Sequence, residues 1–235
     1  MSADLGLDQP IWVQYLTLMK KIFTGTLTSY ASAQNVTDQI WRGLPATLSL
    51  TIGAAVLWMA LAVVFGYLSA IHSGKFTDRA LTILSLVGIS MPVFWLAAIL
   101  LYFLTFKVQL FPPTSSYVPL TTDPLRWASH LILPWLTLAI LYVGFYSRVL
   151  RSNMLDVMNE DYVRTARAKG LPPERQVRIR HVLRNSMIPP IVTLFGLDFG
   201  AVVGGGAILT ETVFNINGVG LYAGRAIGSL DLPPR

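Results

Sequence analysis

The 235-residue sequence contains no cysteine, which excludes disulfides, thiol catalysis and thiolate metal sites. Histidine is nearly as scarce. His72, His130 and His181 lie far apart with no HExxH motif, so metal chemistry finds no support. No G-x-x-x-x-G-K-[ST] segment occurs, so the chain carries no Walker-type ATP site. Residues 88–92 (GISMP) do not form the nucleophile elbow G-x-S-x-G. Residues 218–224 (GVGLYAG) miss the dinucleotide fingerprint by one position and follow no strand; they read as a glycine-rich external turn. Charge itself is rare, at 13% of residues against about 25% in soluble domains. That excludes an ordinary soluble enzyme, a disordered chain and a nucleic-acid-coating protein, despite 18 basic against 12 acidic residues and a net charge of +6.

The few charges are also unevenly placed. None occurs from Gly43 to Gly74, from Ala80 to Phe106 or from Trp127 to Ser147. A helix needs about 20 apolar residues to cross a bilayer, and each gap exceeds that. The fold class is an all-α polytopic transmembrane bundle with about four spans. The first is expected over Leu44 to Ile71, with small residues for close packing. The second covers Ala80 to Phe106, kinked at Pro92 by loss of a backbone hydrogen bond. The third covers Leu131 to Leu150, with Pro134 near its start. The fourth covers Pro189 to Thr210, interrupted by Asp198 and loosened by Gly204-Gly205-Gly206.

Residues 1–42 are expected to form an external segment. Ile11, Val13, Tyr15, Leu16, Met19, Ile22 and Phe23 have helical spacing beside Lys20 and Lys21, the pattern of a short amphipathic helix at a membrane interface or packed on the protein surface. Thr24 to Gln39 reads as polar and turn-rich. Residues 43–211 form the transmembrane domain, and 212–235 a glycine-rich external tail. Met1 to Pro10 lacks the basic-then-apolar pattern of a signal peptide. Both ends read as cut from a larger bundle.

Orientation follows from the loops. Segments 72–79 and 148–188 hold eleven of the 18 basic residues, and four crossings place both on one side. The positive-inside rule makes that side cytoplasmic, in the plasma membrane. Within 151–188, Glu160 precedes Arg164 by four residues, a helix-supporting pair. Leu155, Met158, Tyr162 and Ala166 give one apolar stripe. Gly170 and Pro172-Pro173 stop that helix. A second can begin near Pro173-Glu174, carrying Val177, Ile179, Val182, Leu183 and Met187. A helical hairpin anchored by spans at both ends can act as a lever. A solvated basic loop is the alternative, and a DNA-binding hairpin is disfavoured because both its ends are tethered.

Residues 160–191, EDYVRTARAKGLPPERQVRIRHVLRNSMIPPI, resemble the cytoplasmic coupling loop of ABC importer permeases, most closely the dipeptide, oligopeptide and nickel branch. LGLDQPIWVQYL (5–16), LPATLSLTIGAA (44–55), SMPVFWLAAIL (90–100) and ETVFNINGVGLYAGRAI (211–227) are similar to other landmarks of that family. The resemblance implies six spans, the first and last absent here, and a translocating subunit that performs no chemistry. It implies a second permease subunit, two cytoplasmic ATPases that hold ATP and magnesium, an external solute-binding protein, and no cofactor in this chain. The helix from Glu160 to Gly170, including Tyr162, would dock in a groove on the ATPase. Ala166 would pack closely and Gly170 would turn the chain, while Arg164, Arg167 and Lys169 would contact acidic groups or carbonyls. The sequence departs from the family in two places: Arg164-Thr165-Ala166 stands where the classical motif has Glu-Ala-Ala, and Asn217 where proline is common.

Asp198 and Glu211 are the acidic residues in or near the fourth span. A charge at mid-membrane costs roughly 2.5–3.5 kcal/mol or more, so each should face protein or a wet pathway. Asp198 either lines the solute route, meeting a peptide's amino group, or pairs with a polar group in the bundle. Glu211 lines the same route near the external end, or caps and orients the following loop. Trp95, Trp127 and Trp135 read as interface or packing residues. Other readings stay open: a truncated inactive fragment, an assembly partner, or an intramembrane enzyme, which would need a catalytic pair at common depth.

Overall fold

The computed structural model describes residues 10–29, 33–111, 117–169, 177–198, 200, 202 and 207–229. Helix α1 (Ile11–Phe23) has no buried residue; Ile11, Trp12 and Phe23 stand exposed, and Lys20 and Lys21 occupy its last turn. The amphipathic spacing thus forms a helix whose apolar side chains are left exposed by this chain. A turn closed by an isolated bridge between Thr28 and Asn35 leads into the next helix.

Helix α2 (Val36–Ile71) has 36 residues, about 54 Å at 1.5 Å per residue against a hydrocarbon core of about 30 Å. It starts well before the expected Leu44. Asn35 accepts a hydrogen bond from the Asp38 N–H at 3.2 Å, and such a cap satisfies one orphan donor of the first turn. The residues from Val36 onward, read from sequence as external and partly turn-rich, therefore extend the span as helix and carry Asp38 and Arg42 beyond the apolar stretch.

Pro92 does more than kink its span. Helix α3 (Phe76–Ser90) ends, Met91 is extended (φ −86°, ψ 131°), and α4 (Val93–Leu100) restarts, continued by π-helical turns over Leu101–Lys107. The two parts bend by 103°. The proline ring excludes the preceding residue from helical geometry, so the helix breaks. Helix α5 (Pro124–Val157) is capped by Asp123, which accepts from the N–H groups of Leu125 and Arg126, both at 3.1 Å. It extends beyond the expected Leu150 end. Helices α2 and α5 are each long and apolar enough to cross a membrane, and α3–α4 makes a third if the bent pair is one span.

Packing depends on small residues. Helices α2 and α5 run parallel: Gly53 faces Trp135, Trp58 stacks on Tyr142, and Gly66 approaches Ser147 and Leu150. A methyl at Gly66 would lie 2.9 Å from the Ser147 carbonyl oxygen. Helix α3 runs antiparallel to α5, with Gly88 against Ile140 and Gly144 against Ser85. Without water to drive helices together, close backbone approach and dispersion do so. Trp127 and Trp135 meet edge-on, and the Trp135 indole donates to the Ser49 carbonyl at 3.1 Å, so both are packing residues; Trp95 is exposed.

The segment after α5 also differs from the expected continuous stripe. The helix from α5 stops at Val157, and a separate α6 (Asp161–Ala168) follows. Its buried positions are Val163 and Ala166, while Tyr162 is exposed. The chain then winds through π-helical turns Arg178–Leu183, the turn Arg184–Ser186, α7 (Ile188–Thr193) and π-helical turns Leu194–Asp198. Helix α8 (Ala207–Phe214) and α9 (Val219–Gly228) complete it. The expected fourth span is thus interrupted by wide turns near Asp198. Gly204-Gly205-Gly206, Gly170 and the Pro172-Pro173 turn lie outside the described residues.

Candidate functional site

The two ends of the bundle are fixed by different polar anchors. At one end, Arg151 grips Asp78 bidentately: Nε donates to Oδ1 and Nη2 to Oδ2, each at 2.7 Å. Asp78 also accepts from the Ser69 hydroxyl and from the Gly74 N–H at 2.9 Å. Gly74 adopts φ +78°, which only glycine enters without strain. This pair brings the basic 72–79 turn beside the C-terminal end of α5, where the second basic segment begins.

At that end α6 is seated. Val163 and Ala166 pack with Ala70 of α2, Leu150 and Met154 of α5, and Val177 and Val182 of the following segment. Fully burying a valine side chain contributes roughly 1.5–3 kcal/mol, enough to hold a two-turn helix that would not persist alone. The opposite face is polar and exposed: Arg164, Arg167 and Lys169 all stand at the surface. Glu160 occupies the N-cap position without a side-chain cap bond. Lying just outside the helix, it leaves Arg164 to pair with Asp161 at 3.6 Å, in place of the expected Glu160–Arg164 pair. That exposed pair contributes little stability. The Tyr162 hydroxyl accepts from Asn185 Nδ2 at 2.8 Å, tying α6 to the helical turn Arg184–Ser186.

At the opposite end, Glu211 is fully buried. Its Oε1 accepts from the Thr47 hydroxyl at 2.6 Å and its Oε2 from the Leu221 N–H at 2.7 Å; Thr47 in turn accepts from the Val219 N–H at 2.9 Å. The carboxylate therefore sits on the first turn of α9, where unsatisfied N–H groups favour negative charge. Gly218 and Gly220 leave room for it, since a side chain at either would press on the carboxylate. This is the geometry of an anchor joining α2, α8 and α9.

Between the anchors lies Asp198. It accepts a hydrogen bond from the fully buried Tyr146 at 2.5 Å. Tyr146 is 6.3 Å from Trp58, which stacks on Tyr142 at 4.5 Å. No sequence motif singles out Tyr146, Trp58, Thr47 or Val163. Asp78 alone carries a signal, as an acid in the short basic turn between two apolar runs.

The chain matches the family model for the binding-protein-dependent transport system inner membrane component over residues 62–234. It is 37% identical over 234 residues to a probable peptide ABC transporter permease protein, y4tP, of Sinorhizobium fredii, covering 99% of this chain and 74% of the relative. It is 36% identical over 255 residues to the dipeptide transport system permease protein DppB of Alkalihalophilus pseudofirmus, covering 99% and 75%. It is also 37% identical over 254 residues to a probable D,D-dipeptide transport system permease protein, DdpB, of Escherichia coli, covering 99% and 74%. Long apolar helices locked together through small residues, and a family match across most of the chain, have one meaning: the chain belongs to the inner-membrane components of binding-protein-dependent transport systems, as a multi-pass permease subunit of an ABC importer in the plasma membrane, not an enzyme.

Proposed function

We propose that this permease subunit carries peptides inward, working with a second permease subunit, two cytoplasmic ATPases that hold ATP and magnesium, and an external solute-binding protein. The names of the relatives, peptide and dipeptide permeases, support the solute class. The observation that carries the mechanism is the seat of α6: its apolar face is wedged between the ends of α2 and α5, while its basic face is open to a partner. A partner ATPase that grips Arg164, Arg167 and Lys169 moves α6, and the buried contacts of Val163 and Ala166 pass that motion to two spans at once. Closure of the ATPases thereby tilts the spans and opens the solute route inward. Ala166→Trp tests this. Overfilling a packed seat costs about 1–3 kcal/mol and should displace α6 without disturbing the spans. The expected result in proteoliposomes is at least a tenfold loss of peptide uptake per ATP hydrolysed, with normal membrane insertion. Unchanged uptake per ATP would overturn the lever.

A further inference from the structure

We infer that the end of the bundle that holds Glu211 carries a site for one anionic phospholipid, with its phosphate between Arg42 and Arg225 and one acyl chain laid along α2. A polar cavity of about 290 Å³ lies between the start of α2 and the start of α9, lined by Gln39, Arg42, Asn217, Tyr222 and Arg225. Neither guanidinium is paired with a carboxylate among the described residues. Asp38, one turn before Arg42, is exposed and makes no ion pair with it. Glu211 is spent on Thr47 and the Leu221 N–H. Arg225 makes one long hydrogen bond, to Asn215 Oδ1 at 3.4 Å. Two unmatched arginines call for an anion, and the planar guanidinium fork matches phosphate oxygens. The level of the cavity selects which phosphate. Arg42 is the last charge before the charge-free run that begins at Gly43, Trp41 beside it is exposed, and Trp127 lies in the first turns of the parallel helix α5. Tryptophan collects at headgroup level, so Arg42 stands where lipid phosphates lie.

From there an open apolar groove runs down the same face of α2. Pro45, Ser49, Ile52, Val56 and Ala60 follow Arg42 at helical spacing and form one line along the helix. With Trp127 and Trp135 of α5 they line a groove of about 810 Å³. Ile52 is 50% and Val56 66% exposed, so nothing in this chain covers them. From Pro45 to Ala60 the helix rises about 22 Å, through a leaflet about 15 Å deep, which is the path of an acyl chain. The polar atoms of Ser49 are already bonded, its hydroxyl to Tyr117 at 3.0 Å and its carbonyl to the Trp135 indole. The Trp127 indole N–H is buried with no acceptor among the described residues, and a lipid ester carbonyl, just below the phosphate, supplies one. Anion, acceptor and apolar chain in that order are the groups of a phospholipid. An apolar partner helix would cover the groove and leave both arginines unmatched.

The test uses the purified importer, stripped of lipid in detergent, with phosphatidylglycerol and phosphatidylcholine of identical acyl chains and soluble glycerol phosphate as probes. Native mass spectrometry counts the lipid retained. The wild type is expected to retain about tenfold more phosphatidylglycerol than phosphatidylcholine. Arg42→Gln/Arg225→Gln should bring the two within about twofold, and Arg42→Lys/Arg225→Lys should restore part of the preference. Val56→Trp fills an exposed position in the groove and leaves both arginines in place. It should lower retention of both lipids, a second readout should the double glutamine variant fail to assemble. Glycerol phosphate, which brings the anion without a chain, should displace phosphatidylglycerol only in large excess. Equal retention of the two lipids by the wild type, or retention unchanged by the double glutamine variant and by Val56→Trp, would overturn the site. Displacement by glycerol phosphate at equal concentration would show a free-anion site and overturn the lipid assignment. Loss of solute-binding-protein docking in the double glutamine variant, with phosphatidylglycerol retention unchanged, would give the arginines to that partner and overturn it as well.

Discussion

Asp78 and Arg151 show how much one pair of charges can decide in an apolar chain. The aspartate is buried and the arginine mostly so, and four donors converge on the carboxylate. Removing one partner of such a pair strands the other, at about 3–5 kcal/mol. Asp78→Ala should therefore lower the unfolding temperature of the detergent-solubilised protein markedly. The double variant Asp78→Leu/Arg151→Met should recover most of the loss, because no charge is left unmatched. A single variant as stable as the wild type would show that the pair contributes nothing. Glu211 makes the complementary point. Sequence position allowed it either a pathway or a loop-orienting role. Its contacts to Thr47 and Leu221 could not be read from the chain, because they join residues far apart in sequence.

Among the elements, the bent α3–α4 pair carries the largest departure from sequence expectation. The charge-free run and Pro92 were both visible, and a kink followed from them. The 103° bend depends in addition on where α4 finds its packing, against α5 and α8, and no local rule contains that. Pro92→Ala restores a backbone donor and removes the constraint on Met91, so α3 can propagate toward α4. The expected outcome is peptide uptake reduced roughly tenfold with the protein still inserted, since a straightened helix withdraws α4 from its partners. Uptake equal to the wild type would show the bend to be dispensable. Helix α6 teaches the converse. The apolar spacing over 155–166 suggested one stripe, but the backbone turns between Val157 and Asp161, and that rotation puts Val163 inside and Tyr162 outside.

For the whole molecule, the absence of cysteine becomes an experimental asset. Single cysteines at Lys75 and Arg164, on the end that holds the Asp78–Arg151 pair, and at Arg225, on the end that holds Glu211, can be labelled without background. A membrane-impermeant thiol reagent added to intact cells should modify Arg225→Cys alone; Lys75→Cys and Arg164→Cys should react only after the membrane is opened. Labelling of Arg164→Cys from outside would reverse the orientation that the basic residues dictate.

The sequence by itself determined that this chain lives in a bilayer and that its first three charge-free runs are greasy enough to cross it. Those properties are sums over local composition, and the bilayer reads composition directly. Only the tertiary structure decided which polar groups meet: Asp78 with Arg151, Asp198 with Tyr146, Glu211 with Thr47 and the first turn of α9. In an apolar medium every buried polar group must find a partner, but which partner it finds depends on helix rotation and on glycine contacts spread across the whole chain.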